Sequence, residues 1–288
     1  MVEVASAEAV VGVRQRGRLG RPPVTIWLAG VFVALTVCLA LFGPFLVPKS
    51  PSDQRLLRGG EPPSAEFWLG TDQLGRDMFS RVVVGTRTAV EGPIVIAVCA
   101  FAIASLLGIF AGYSGGTVDT VVMRWVDYMF ALPSLLIAIV VIGIFGGGYW
   151  VAVFTMTLLF VAPDTRIVRG AALEQRSLPY IEASRTLGIA RRRIMFVDIS
   201  ANLLPIIVAY VVLDFAYALV SLSALSFLGL GVPPGTPDWG RMLYENRNVL
   251  YSNPAASLVP AAMIVALAAS VNLIGDWMYE GLGHRGDA

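Results

Sequence analysis

Apolar runs close to 20 residues long recur along this chain. Each is long enough to cross about 30 Å of hydrocarbon at a helical rise of roughly 1.5 Å per residue. Lipid offers the backbone no hydrogen-bonding partners, so such runs fold as helices that satisfy their own N–H and C=O groups. Six spans are expected, from about Ile26 to Val47, Pro93 to Tyr113, Met129 to Phe145, Trp150 to Ala162, Leu203 to Leu230 and Ser257 to Trp277. Only Gly146, Gly147, Gly148 and Tyr149 divide the third from the fourth. With 56% hydrophobic and 14% charged residues, the composition excludes an ordinary soluble domain and fixes the class as an all-α integral membrane protein.

Arginine placement orients the chain. Arg14, Arg16, Arg18 and Arg21 precede the first span, and Arg166, Arg169, Arg176, Arg185, Arg191, Arg192 and Arg193 follow the fourth. An even number of crossings separates the two groups, which puts both on the cytoplasmic side. The stretch from Lys49 to Arg87 is also rich in arginine, but it is long and balanced by acids, and long loops carry little weight in that rule. The organisation is then a cytoplasmic tail over 1–25, a first transmembrane helix over 26–47 and an extracytoplasmic loop over 48–92. A five-helix core over 93–277 follows, with a cytoplasmic loop at about 163–202, and a cytoplasmic tail over 278–288 ends the chain. Residues 1 to about 21 lack hydrophobic periodicity and are expected to be disordered. The basic start and apolar run superficially suggest a secretory signal, but the run is too long and no small-residue cleavage site closes it.

Within the first outer loop, Met78, Phe79, Val82 and Val83 form an apolar stripe that predicts an amphipathic helix lying along the membrane surface. In the second, Pro233, Pro234 and Pro237 stiffen the backbone, and Trp239 is expected as an interfacial anchor. Cys38 and Cys99 fall inside spans, where a thiol packs as a small hydrophobe, and imply no disulfide. Gly108 and Gly112 form a GxxxG pattern that lets helix backbones approach closely.

The segment 179–188 is a short charged helix between apolar spans. Pro179 suits its first turn and Gly188 its end. Helical spacing puts Tyr180, Ala183, Ser184 and Leu187 on one face, a pattern suited to docking a cytoplasmic protein, although a solvated connector would carry similar charge. Glu182 near the helix start is favoured by the dipole and can accept hydrogen bonds from a partner, and Arg185 flanks the same face.

Asp214 lies about 11 residues into the fifth span, roughly 16 Å deep. A charge there costs about 2.5–3.5 kcal/mol on insertion scales, so the side chain should face protein or water. It either lines a translocation path or bonds between subunits, and it is the only acid expected at mid-membrane. Ser221 and Ser223 belong to a small-residue run that either packs helices or lines the same path. Asp276 and Glu280 read as acids snorkelling from a helix end. His284 is the sole histidine and Lys49 the sole lysine, and no GxxxxGK sequence occurs. These absences argue against Ser/His catalysis, histidine metal sites and a phosphate-cradling ATPase loop within this polypeptide.

Several blocks together resemble the permease subunits of ATP-binding-cassette importers, in the dipeptide and oligopeptide branch. They are Leu69-Gly70-Thr71-Asp72 with Gly75-Arg76-Asp77, then Ala111-Gly112-Tyr113-Ser114-Gly115-Gly116, then Ala131-Leu132-Pro133-Ser134, and Glu182-Ala183 with Gly188. Leu225-Ser226-Phe227-Leu228-Gly229-Leu230-Gly231, Pro237-Asp238-Trp239-Gly240 and Asn272-Leu273-Ile274-Gly275-Asp276 complete the series. The order and content are most similar to the "C" type partner of a two-permease pair.

That resemblance implies a type I importer permease fold of six transmembrane helices in a bacterial cell membrane, with both termini cytoplasmic. It implies that the chain is not an enzyme: ATP and Mg would be bound by two cytoplasmic ATPase subunits, and no cofactor by this chain. The segment carrying Tyr180, Glu182, Ala183, Ser184, Arg185, Leu187 and Gly188 would be the coupling helix held in an ATPase cleft. The remaining partners would be a homologous permease, an extracytoplasmic substrate-binding protein, a peptide cargo and membrane lipid, with no nucleic acid. The outer surface around Pro48–Arg87 and Gly231–Asn253 would receive the binding protein. One departure is notable: Ile199-Ser200-Ala201-Asn202 stands where the family usually has Ile-Leu-Pro before Asn, so another element, such as Pro205, must supply any bend. Ser184 replaces the family's second alanine with little change of volume. A self-contained secondary transporter is the rival reading, and the sequence leaves open which peptide or related cargo is carried.

Overall fold

The computed structural model describes residues 22–283. The tail carrying Arg14, Arg16, Arg18 and Arg21, and His284, lie outside the described residues. Five helices are long and apolar enough to cross a membrane: α1 (Val24–Leu46), α2 (Met78–Ser114), α5 (Tyr149–Arg176), α8 (Ser200–Phe227) and α10 (Ala255–Gly283). A sixth crossing is a broken pair, α3 (Gly116–Phe130) and α4 (Ser134–Ile144), bent by 85°. The break falls at Ala131-Leu132-Pro133. Proline lacks an amide hydrogen and disfavours helical geometry in the residue before it, so α3 stops there and Pro133 starts α4. Shorter helices sit at opposite ends of the bundle, α6 (Pro179–Thr186) with α7 (Arg191–Arg193) at one and α9 (Trp239–Glu245) at the other.

The helix expected on the membrane surface is instead the first part of α2, which runs unbroken through Pro93. Asp77 caps its start by accepting from the Ser80 amide at 3.0 Å. Met78 and Val82 then pack inside the protein with Trp239, Met242 and Ala256, so the apolar stripe faces core and not lipid. At roughly 1.5 Å per residue α2 spans about 55 Å, well beyond the hydrocarbon thickness. Likewise the third span begins at Gly116, and α5 continues past Pro163 to Arg176, shortening the loop expected at 163–202 to its middle part. Trp239 is no interfacial anchor: it is fully buried, and its Nε1 donates to the Val82 carbonyl at 2.9 Å. Cys38 and Cys99 point outward from their helices instead of packing inside.

α2 is the spine of the bundle. Its first turns enter a cluster with α9 and α10, its middle enters a second with α4, α5 and α8, and its last turns enter a third with α5, α6 and α8. The closest approach is to α5. A Cβ added at Gly108 would lie 2.8 Å from the Val168 Cβ and 2.9 Å from the Thr165 carbonyl oxygen; one at Gly112 would lie 2.9 Å from the Arg169 carbonyl oxygen. The GxxxG pattern therefore joins two helices of this same chain. Arg169 of α5 also forms a two-pronged ion pair with Asp119 of α3, fixing the third helix against this pair.

At the α9 end, the two loops expected outside are locked by buried charge. Asp72 caps the Leu74 and Arg76 amides at 2.9 Å and pairs with Arg76. Glu245 receives Arg76 at 2.8 Å, Arg81 at 3.0 Å, Arg241 at 3.2 Å and the Gly235 amide at 3.2 Å. Asn253 adds bonds of 3.0 Å to the carbonyls of Leu69 and Thr71. Burial raises the Glu245 carboxyl, but the Gly235 amide and the Arg81, Arg76 and Arg241 guanidinium groups outweigh it and hold the carboxyl below its ordinary range.

Two outcomes follow for stability. Gly108→Leu should lower the thermal unfolding temperature of the detergent-purified protein, consistent with about 1–3 kcal/mol of overpacking at the α2–α5 contact. Glu245→Ala should cost about 3–5 kcal/mol, because it strands buried guanidinium groups. A carboxyl depressed in the folded state stabilises fully above its unfolded value of about 4.3 and loses that contribution as pH falls through the folded value. The gap in unfolding temperature between wild type and Glu245→Gln should then be constant from neutral pH down to about 4.3 and shrink only below it.

Candidate functional site

α6 is built to protrude. Leu178 is extended and Pro179 occupies the first helical position, where its missing amide hydrogen costs nothing. The helix closes with a Schellman turn: the Gly188 amide donates to the Arg185 carbonyl at 3.0 Å and the Ile189 amide to the Ser184 carbonyl at 3.1 Å. Gly188 holds φ at +74°, a left-handed conformation that glycine adopts without strain, and a Cβ there would meet nothing within 4 Å.

One side chain roots this rod. Ile181 is wholly buried among Tyr113, Val168, Ala172, Ile194 and Ile199, at the junction of α2, α5 and the start of the α8 arm. Glu182, Ala183 and Arg185 are exposed, and Leu187 is 78% exposed, high for a large apolar residue outside a lipid-facing helix. Ser184 is half-buried, its hydroxyl bonded to the Tyr180 carbonyl at 3.0 Å. Tyr180, placed by sequence on the docking face, also braces the rod. Its hydroxyl donates to Gln175 at 2.7 Å and accepts from Asn202 at 3.2 Å, tying α5, α6 and α8 together. The Arg185 guanidinium lies over the Tyr113 ring at 5.0 Å and shares a pocket of about 410 Å³ with Arg176 and Arg191.

Beyond the rod no sharp bend replaces the missing proline. α7 passes through a π-helical turn at Ile194–Ile199 straight into α8, with the Ser200 amide reaching the Met195 carbonyl, and Pro205 sits inside the continuing helix. Single π turns mark places where a helix absorbs an extra residue and shifts its face.

In the middle of the bundle, Asp214 of α8 is nine-tenths buried and meets a second acid that sequence reasoning missed: Asp164 of α5, 1% exposed. The span expected over Trp150 to Ala162 stops two residues short of this acid. The structure carries α5 on for more than ten residues, so Asp214 is not alone at this depth. Apart from the contact between the two carboxyls, each keeps one buried oxygen that no donor among the described residues serves. Both border a cavity of about 550 Å³ together with Ser134, Tyr210, Tyr217 and Ser221, and no lysine, arginine or histidine lines it. Ser223 stands apart from that cavity, its backbone in close contact with Gly240 of α9.

Residues 104–285 match the family described as binding-protein-dependent transport system inner membrane component. The glutathione transport system permease protein GsiD of Pectobacterium atrosepticum is 34% identical, covering 88% of this chain and 85% of the relative. The di/tripeptide transport system permease protein DppC of Pseudomonas aeruginosa is 34% identical with the same coverage of both chains. The probable D,D-dipeptide transport system permease protein DdpC of Escherichia coli is 33% identical over 88% of this chain and 85% of its own. The bundle of apolar helices, the rod projecting from one end and a family match over most of that bundle lead to one assignment: the chain belongs to the binding-protein-dependent transport system inner membrane components, the multi-pass permease subunits of such importers.

Proposed function

We propose that this permease forms one half of the translocation path of an ATP-driven peptide importer and is driven through α6. The observation that carries the reading is the rod itself. Eight residues are fixed at one end by buried Ile181 and closed at the other by Gly188, with Glu182, Ala183, Arg185 and Leu187 presented outward. A short helix so rooted transmits displacement to α2, α5 and α8 at once, because all three meet around Ile181.

In this reading α6 faces the cytoplasm, both termini lie on that side, and the exposed surface sits in a cleft of an ATPase subunit. Two such subunits bind ATP and Mg, and their closure pulls the rod. A homologous permease completes the path. The locked outer loops between Asp72 and Asn253 present a stiff platform to an extracytoplasmic binding protein; a network of buried charge and asparagine bonds keeps that platform from flexing when the partner docks. The names of the relatives, which transport dipeptides, tripeptides or glutathione, support short peptides as cargo.

The test separates backbone conformation from bulk at one residue. Gly188→Val places a β-branched residue at positive φ with no steric clash to confuse the result, whereas Gly188→Asn is tolerated in the left-handed region. In proteoliposomes holding the full transporter and its binding protein, Gly188→Val should insert normally yet lose most ATP-driven uptake. Gly188→Asn should retain most of it. Uptake by the valine variant equal to wild type removes α6 as the coupling element, and uptake by this chain reconstituted alone removes the dependence on a separate motor.

A further inference from the structure

The acid pair at mid-membrane has an oddity that packing does not explain. Two carboxyls lie within hydrogen-bond reach of each other, each has a buried oxygen that no other group among the described residues serves, and no basic side chain borders the cavity they share. Buried carboxylates without partners are costly, and in a membrane protein such groups mark the route of a charged cargo. We propose that Asp164 and Asp214 form the anionic subsite that receives the protonated amino terminus of a peptide on its way through the permease, an inference that rests on the peptide reading above.

The surroundings favour an ammonium over a metal ion. A hard divalent cation wants six or more oxygen ligands in a fixed shell. Here the cavity is lined by two aspartates, by Ser134 and Ser221, and by two further polar residues, Tyr210 and Tyr217. Aromatic rings next to carboxylates suit an organic cation, which gains from both charge and ring face. The volume of about 550 Å³ falls in the range of small-ligand sites. An amino terminus is also common to linear peptides whatever their side chains, so a subsite for it serves a carrier that must not discriminate among residues. Placing the two acids on different helices, α5 and α8, gives the subsite a way to let go: any change in the spacing of those helices splits the pair and weakens its hold on the cation.

The experiment uses the whole transporter, this permease with its partner permease and ATPases, in nanodiscs without the binding protein. Thermal stabilisation is titrated with glycylglycine, which carries the ammonium, and with N-acetylglycylglycine, which does not. Wild type should be stabilised by the first and not by the second. Asp164→Asn and Asp214→Asn should each weaken the glycylglycine response by at least about tenfold in apparent affinity, and Asp214→Glu, which keeps the charge, should restore the preference. Equal responses to the two dipeptides in wild type, as expected of a pair that merely holds a proton between its carboxyls, overturn the subsite. So do asparagine variants with undiminished preference. Peptide uptake by wild type with its binding protein is measured in parallel: uptake without amine preference at the pair defeats this inference alone, and no peptide uptake defeats the peptide reading and the inference together.

Discussion

The close contact between α2 and α5 governs where everything else in this protein sits. In lipid, apolar surface gains nothing by leaving apolar surroundings, so helices associate through tight van der Waals packing and satisfied polar groups. Gly108 and Gly112 allow that packing by bringing the α2 backbone against Thr165, Val168 and Arg169. The same few turns of α5 carry Asp164 on one side of the contact, and Arg169, paired with Asp119, holds α3. They continue to Arg176, three residues before the rod begins. A fault at the glycine contact would therefore misplace the acid pair, the third helix and the root of α6 together.

The two ends of the bundle are stabilised by different means, and the contrast matches their tasks. At the α9 end, charges are buried and mutually bonded around Glu245, an arrangement whose desolvation cost is offset only while every partner is in place. Such a network fixes geometry more than it adds stability. At the α6 end the buried contacts are apolar, with Ile181, Ile194 and Ile199 packed on Tyr113 and Val168, while the bonds of the Tyr180 hydroxyl and the charged arginines lie at the exposed rim. Apolar packing tolerates small sliding motions in a way that oriented hydrogen bonds do not. A rigid outer platform and a slidable inner joint are what a docking face and a lever respectively require.

Much of the architecture was legible because lipid makes the code simple. Apolar length showed that the chain crosses a membrane several times, Gly146–Gly148 marked a real break, and the GxxxG spacing marked a real helix contact, whereas Pro133, which lay inside the expected third span, breaks it. The α6 boundaries could be read from Pro179 and Gly188, since first-turn proline and terminal glycine act through local backbone geometry. What failed depended on tertiary partners. The stripe at Met78–Val83 has the same periodicity whether it faces a membrane or a protein core, and only the helix α9 decides which. Asp77 followed three residues later by Ser80 was the available sign that α2 begins there. Asp164 lay beyond the apolar run that marked the fourth span, because an apolar run ends at the first charges whereas burial by α2 and α8 lets α5 carry an acid through. Ile181 could not be singled out among neighbouring exposed residues, because one apolar position on an eight-residue helix has no periodicity to reveal it.

The departure at Ser200-Ala201 ties these threads together. A proline there would lack an amide hydrogen and would bend the chain between the rod and α8; here a π turn at Ile194–Ile199 takes up the extra residue while keeping its backbone bonds. Ile194 and Ile199, the two ends of that turn, both pack on the cluster that holds Ile181. In the proposed lever reading, the joint between rod and helix is made of backbone hydrogen bonds that could re-register by one residue, where a proline would fix the angle. Re-registering there would rotate α8 about its axis and with it Asp214, which meets Asp164 of α5 in the bundle interior. If α6 is driven as proposed, its motion would reach the acid pair by two arms, α5 before the rod and α8 after it, and the two arms need not move alike. Their difference is the quantity that sets the separation of the two carboxyls.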